Sequence, residues 1–125
     1  MKSLLMVAVG GAIGSVARYA LSIWLKQSYT YSFPWHTFII NILGCILIGM
    51  MYAFTKSLVE SETLRLMVMI GILGGFTTFS SFGLESFQLF ESKAYMQLVL
   101  YISMTNIIGI VGVFGGYGLI NMLNK

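Results

Sequence analysis

The sequence predicts an all-α membrane protein of four transmembrane helices, the third of them broken in mid-membrane. Three observations lead there. The chain is 58% hydrophobic with a mean hydropathy of +0.88, yet it carries only seven Lys or Arg and four Asp or Glu. Soluble domains carry about 25% charged residues, so a water-exposed fold would lack polar surface. Charged residues also fall at intervals that leave four long apolar runs. Finally, one of those runs holds a cluster of Gly, Thr and Ser at its centre.

The first span is read from Leu4 to about Leu25, with Arg18 inside it, and the second from about Trp35 to Thr55 with no charge. The third runs from Leu66 to about Phe90 and contains Glu85; the fourth runs from Tyr95 to about Leu123 and again has none. A helix rises about 1.5 Å per residue, so roughly 20 residues cross a hydrocarbon core about 30 Å thick. The alternating ten-residue pattern of a membrane barrel is absent. The run after Met1-Lys2-Ser3 is longer than a signal core and is read as a retained span. The chain is treated as one four-helix transmembrane domain, residues 1–125.

The linkers fit this division. Pro34, the single proline, stands where the second helix should begin. Trp24, Tyr29, Tyr31 and Trp35 gather where the chain should meet lipid headgroups. Lys56 to Arg65 holds most of the loop charge, and Glu91 to Ala94 makes a tight turn. One cysteine, Cys45, excludes an internal disulfide. His36 has no companion histidine, so a metal cluster is not expected there. The charges form no basic stripe, so no nucleic-acid partner is expected.

Four spans put both termini on one side of the bilayer. That side carries Lys2, Lys56, Arg65 and Lys125; the other carries Lys26 and Lys93, with Arg18 if it reaches that interface. Positive residues in short loops set orientation. So thin a bias suggests insertion either way round and an antiparallel homodimer. Gly10/Gly14, Gly71/Gly75 and Gly112/Gly116 supply small-xxx-small patterns that let helices approach closely in lipid.

Gly71 to Phe82 carries the chemistry. Glycine costs about 1 kcal/mol in a helix interior, and Thr77 and Thr78 add β-branching, so a break is expected near Gly74 to Thr78. Irregular backbone at that depth is tolerated only when buried in protein or lining a cavity. Its free carbonyls suit a cation and its free amides an anion. Phe79 and Phe82 share a helix face. Either they pack against lipid or core, or their positive ring edges meet an anion. Ser80 and Ser81 either donate to an ion or bond back to helix carbonyls. Asn41 serves either as interhelix glue or as a pore donor, with Thr37 a turn earlier on its face. Tyr101, Thr105 and Gly109 form a stripe on the fourth span, with Asn106 beside it. Arg18 either snorkels to the interface or draws anions into a vestibule. Glu85 would repel an anion and is expected near the aqueous end of the third span.

These residues resemble the CrcB/Fluc family of fluoride channels over essentially the whole chain. The resemblance rests on Gly10-Gly11-Ala12-Ile13-Gly14-Ser15-Val16-Ala17-Arg18-Tyr19, on Asn41 with Gly44, and most on Gly74-Gly75-Phe76-Thr77-Thr78-Phe79-Ser80-Ser81-Phe82. It implies an antiparallel dual-topology homodimer in a bacterial inner membrane, with two fluoride pathways. It implies that Phe79 and Phe82 line the pathway with Asn41, that Tyr101 and Thr105 fall on a polar track, and that Arg18 sits in a vestibule. Gly74 and Thr77 match positions whose carbonyls, from both subunits, hold a structural sodium ion. Gly109 departs from the family pattern, where a further hydroxyl is expected. Hydroxyls, an amide and phenyl edges can replace the water of a small anion without holding it too tightly.

Two rivals were weighed. A small dual-topology multidrug-type transporter would need a carboxylate in the first span, which has Arg18 and no acid. A non-transporting membrane packing subunit would leave Thr77, Thr78, Ser80 and Ser81 without a purpose. No nucleophile and base pair points to an enzyme.

Overall fold

A computed structural model describes residues 1–28, 33–58 and 61–123. Tyr29 and Tyr31 of the aromatic set, Lys125, and the centre of the Lys56 to Arg65 linker lie outside the described residues, as does the Lys56 side chain.

No strand occurs among the described residues. The chain forms α1 (Lys2–Ser28), α2 (Trp35–Leu58), α3 (Glu62–Leu66), a π-helical stretch (Met67–Leu73), α4 (Gly74–Phe76), α5 (Phe79–Glu91) and α6 (Tyr95–Leu123). Four helical paths are long and apolar enough to cross a membrane: Lys2–Gln27, Trp35–Thr55, Glu62–Glu91 and Tyr95–Leu123. The third begins at Glu62 rather than at the predicted Leu66. Ser61 is the reason: its Oγ accepts from the Leu64 N–H at 3.4 Å and its carbonyl from the Arg65 N–H at 3.1 Å. Glu62 adds a negative charge beside the free amides of the first turn.

Pro34 starts α2 as its sequence position predicts, with its carbonyl accepting from the Phe38 N–H at 3.1 Å. The turn between α5 and α6 closes through Lys93 N–H to Phe90 O at 3.0 Å and Ala94 N–H to Leu89 O at 2.9 Å. Lys93 takes the left-handed conformation there, with φ of 58°.

Two glycine seams hold the helices. Along the first, α1 lies against the π-helical stretch and α4, and two of the glycine patterns face each other. A Cβ on Gly71 would stand 2.9 Å from the Gly10 Cα, and one on Gly14 would collide with the Ile72 carbonyl. Along the second, α2 lies against α6, where a Cβ on Gly49 would strike the Val113 carbonyl and one on Gly116 the Ile46 carbonyl. Close backbone approach is how helices associate where lipid removes any hydrophobic drive between them.

The buried core is small and sits at one end of the bundle, around Phe38, Phe82, Leu89 and Tyr101. Most large apolar side chains face outward, including Val99, Ile107, Val111, Phe114 and Met122 on α6. An apolar skin of this extent marks a surface that meets lipid or another chain.

Candidate functional site

The site is built around two residues that leave helical geometry. Thr77 has φ −78° and ψ 158°, and Thr78 has φ −147° and ψ 112°, both extended. Upstream, the Thr77 N–H and Oγ1 both donate to the Leu73 carbonyl at 3.1 Å. Downstream, Thr78 caps α5: its Oγ1 accepts from the Ser81 N–H at 3.2 Å. The Thr78 hydroxyl also donates to Ser81 Oγ at 3.0 Å and shares a hydrogen bond with Ser80 Oγ at 3.3 Å. The three hydroxyls thus form one cluster at the start of α5.

Backbone groups that leave a helix must find other partners. Asn41 on α2 supplies them. Its Oδ1 accepts from the Thr78 N–H at 2.8 Å, and its Nδ2 donates to the Thr78 carbonyl at 3.1 Å. The side-chain amide therefore mimics a paired backbone unit. It acts as interhelix glue through one Nδ2 hydrogen and keeps the second for another acceptor. On the other side, Arg18 Nε donates to the Gly75 carbonyl at 3.1 Å. That carbonyl lies in the last turn before the irregular segment, where a cation is favoured. Arg18 also lines a cavity of about 440 Å³, together with Ser15, Ser22, Thr37, Ser81 and Glu85.

Glu85 lies six residues before the end of the third helical path, at Glu91. Its side chain is only 15% exposed and gathers three donors. Thr37 Oγ1 donates to Oε1 and the Tyr101 hydroxyl to Oε2, both at 2.7 Å. His36 Nε2 lies 3.1 Å from Oε1. Thr37 and Tyr101, both buried, thus turn their hydroxyls toward this carboxylate. An acid inside a membrane span needs such partners.

A second groove, of about 330 Å³, is lined by Asn41, Gly74, Thr77, Phe79, Phe82 and Thr105 among others. Phe79 is 82% exposed on it, whereas Phe82 is buried. Their rings stand 5.6 Å apart, and Phe82 in turn stands 5.0 Å from Tyr101. Thr105 Oγ1 is buried with no hydrogen-bond partner. Gly109, where a hydroxyl was expected, lies against α2: a Cβ there would stand 3.3 Å from Cys45 Sγ, so packing leaves little room for a polar side chain. Asn106 donates to the Ile102 carbonyl at 2.7 Å.

Asn41, Thr77, Thr78, Ser80, Ser81, Phe79 and Phe82 therefore meet around one irregular turn, with Arg18 on one side and Thr105 on the other. Thr37 and Tyr101 join it through Glu85. Sequence reasoning missed the role of His36 and Glu85 as a pair. The signal was present: a lone acid in an apolar run, with hydroxyls available on two other spans.

Four apolar helices enclosing a hydrogen-bonded turn define a multi-pass membrane protein. A family model described as CrcB-like protein, Camphor Resistance (CrcB) matches residues 5–117. A protein of Phocaeicola vulgatus named fluoride-specific ion channel FluC is 49% identical over 116 residues, covering 93% of this chain and 96% of that one. Proteins of the same name from Chloroflexus aurantiacus and Desulfotalea psychrophila are 42% and 40% identical, the first covering 95% of each chain and the second 91% of this chain and 88% of its own. The chain belongs to the CrcB-like family.

Proposed function

We propose that the chain is a fluoride-selective channel that lets fluoride leave the cell passively and so lowers cytoplasmic fluoride toxicity. The observation that carries this reading is similarity along nearly the whole chain to relatives named fluoride-specific ion channels. The local chemistry fits it. Fluoride is small and strongly hydrated, and a pore must offer it donors of matching reach while still releasing it. Around the irregular turn stand the remaining Asn41 N–H, the hydroxyls of Ser80 and Ser81, the unpartnered Thr105 hydroxyl and the edges of Phe79 and Phe82. Thr37 and Tyr101 extend the polar path toward Glu85, and Arg18 draws anions into the adjoining cavity.

The working unit in this reading is an antiparallel dual-topology homodimer in the plasma membrane. The open groove beside Phe79 supports it, because a ring 82% exposed beside polar groups invites a second wall. In this unit the third helix is broken at membrane depth, and the Gly74 and Thr77 carbonyls would hold a structural sodium ion. Hard carbonyl oxygens suit such a cation. Gly74 is exposed, and a Cβ there would meet nothing of its own chain nearer than Met69 O at 3.8 Å. Its own chain does not require a glycine at that position, whereas a close neighbour on the groove side would.

Passive fluoride efflux from liposomes tests the reading. Purified protein should release fluoride faster than empty liposomes do, while chloride stays trapped in both. Equal fluoride release rejects the channel. Phe79→Ile and Phe82→Ile should each lower flux at least tenfold, with dimer assembly on size-exclusion chromatography unchanged; unaltered flux returns both rings to a packing role.

A further inference from the structure

Two cavities meet at His36 and Glu85. The outer one, about 480 Å³, is lined by Pro34, Trp35 and Ser92 near the start of α2 and the end of α5. The inner one, about 440 Å³, is lined by Arg18, Thr78 and Ser81. Lys26, His36, Glu85 and Gln88 line both. The Glu85 carboxylate therefore stands in the wall that the two cavities share.

That carboxylate is a barrier unless its charge is answered. Thr37 and Tyr101 donate hydrogen bonds to it but bring no charge. Among the described residues in contact with it, only His36, 3.1 Å from Oε1, can bring a positive one. The other titratable groups around the two cavities do not touch Glu85. Lys26 on α1 is exposed, Arg18 on α1 is tied to the Gly75 carbonyl, and Tyr19 on α1 faces the inner cavity. From α6, Tyr101 is the group that faces the carboxylate. His36 is 20% exposed in its side chain, so water and protons can reach it.

We propose that His36 is a positioning residue that sets the anion permeability of the passage between the two cavities by compensating the charge of Glu85. As an imidazolium it neutralises the carboxylate and holds it toward α2, so an anion passes. As a neutral imidazole it leaves the carboxylate negative and anions are held back. Imidazole is the side chain whose charge changes most readily within the working pH range, so fluoride conductance falls as pH rises through the His36 titration. This rests on the fluoride-channel reading.

Fluoride current across a planar bilayer containing the full chain tests it, since neutral hydrogen fluoride carries no current. Between pH 5.5 and pH 8, wild-type current should fall about fivefold, the effect of one unit charge about 8 Å from the path at an effective dielectric of about 40. His36→Gln keeps a donor but cannot charge; its current should be flat with pH, at the wild-type pH 8 level. His36→Lys should be flat at the wild-type pH 5.5 level. If His36→Gln scales the current equally at both pH values and keeps the wild-type profile, His36 is structural and the inference is wrong, with the channel intact. If the wild type carries no fluoride current at any pH, the channel reading fails and takes this inference with it.

Discussion

Upstream of Thr77 the third helical path is held by the absence of side chains; downstream it is held by their hydrogen bonds. Gly71 and Gly75 bring the π-helical stretch and α4 onto the α1 backbone, with Gly10, Gly11 and Gly14 opposite. At and beyond the start of α5, Thr78 bonds Ser80, Ser81 and Asn41 of α2, and Glu85 bonds Thr37 of α2 and Tyr101 of α6, through polar contacts between 2.7 and 3.3 Å. Shape fixes one half and chemistry the other. The side-chain donors belong to the second half, where Thr78, Ser80 and Ser81 cluster at the start of α5.

The comparison can be broken from either side. The largest effect is expected at Gly14, where a Cβ would meet the Ile72 carbonyl, a backbone atom with little freedom to move. Gly14→Val should destabilise the fold by about 3 kcal/mol or more, seen as loss of the monodisperse peak in detergent. Gly74→Ala, on the same path but with nothing of its own chain nearer than Met69 O at 3.8 Å, should leave the helical circular dichroism of the chain unchanged and disturb only the proposed dimer.

Asn41→Ala attacks the other half. It strips the partners from both the N–H and the C=O of Thr78, which is buried. Leaving two such groups unpaired costs about 2–5 kcal/mol. Thermal unfolding in detergent should shift down, and the Thr78 amide should lose its protection from hydrogen exchange. Arg18→Lys should have the smallest effect. It keeps the charge but loses the Nε–H bond to Gly75 O, about 1 kcal/mol. Unfolding temperature should drop by only a few degrees.

Much of the frame was legible because lipid imposes simple rules. Apolar length and charge spacing locate four helices with no structural information, and the glycine patterns name the seams, though not which seam meets which. Thr77 and Thr78, the β-branched pair within the Gly74 to Thr78 cluster, are the residues with extended backbone. The π-helical winding of Met67–Leu73 was not legible, because its apolar residues carry no local preference that separates it from an α-helix. The start of the third path was placed late because Ser61 and Glu62 sit among loop charges that hide a helix cap. The Glu85 cluster was missed for a different reason. His36, Thr37, Glu85 and Tyr101 lie on three elements, and periodicity reads one element at a time. Thr37 and Tyr101 looked like free donors because their partner had been set aside as a nuisance charge.

The π-helical stretch bears on how this chain tolerates changes of length. A segment bonded i to i+5 holds more chain per turn than an α-helix and is read as slack within it. Removing one residue between Met67 and Ile70 lets the stretch rewind toward α-geometry, and the residues from Gly71 onward keep their places on α1. The same removal in α6 has no slack to draw on. There Gly109, Gly112 and Gly116 follow one uninterrupted winding, and everything beyond the cut rotates away from α2. Two helices of similar length are thus unequal as sites for insertion and deletion, and the tolerant one lies just upstream of Thr77 and Thr78.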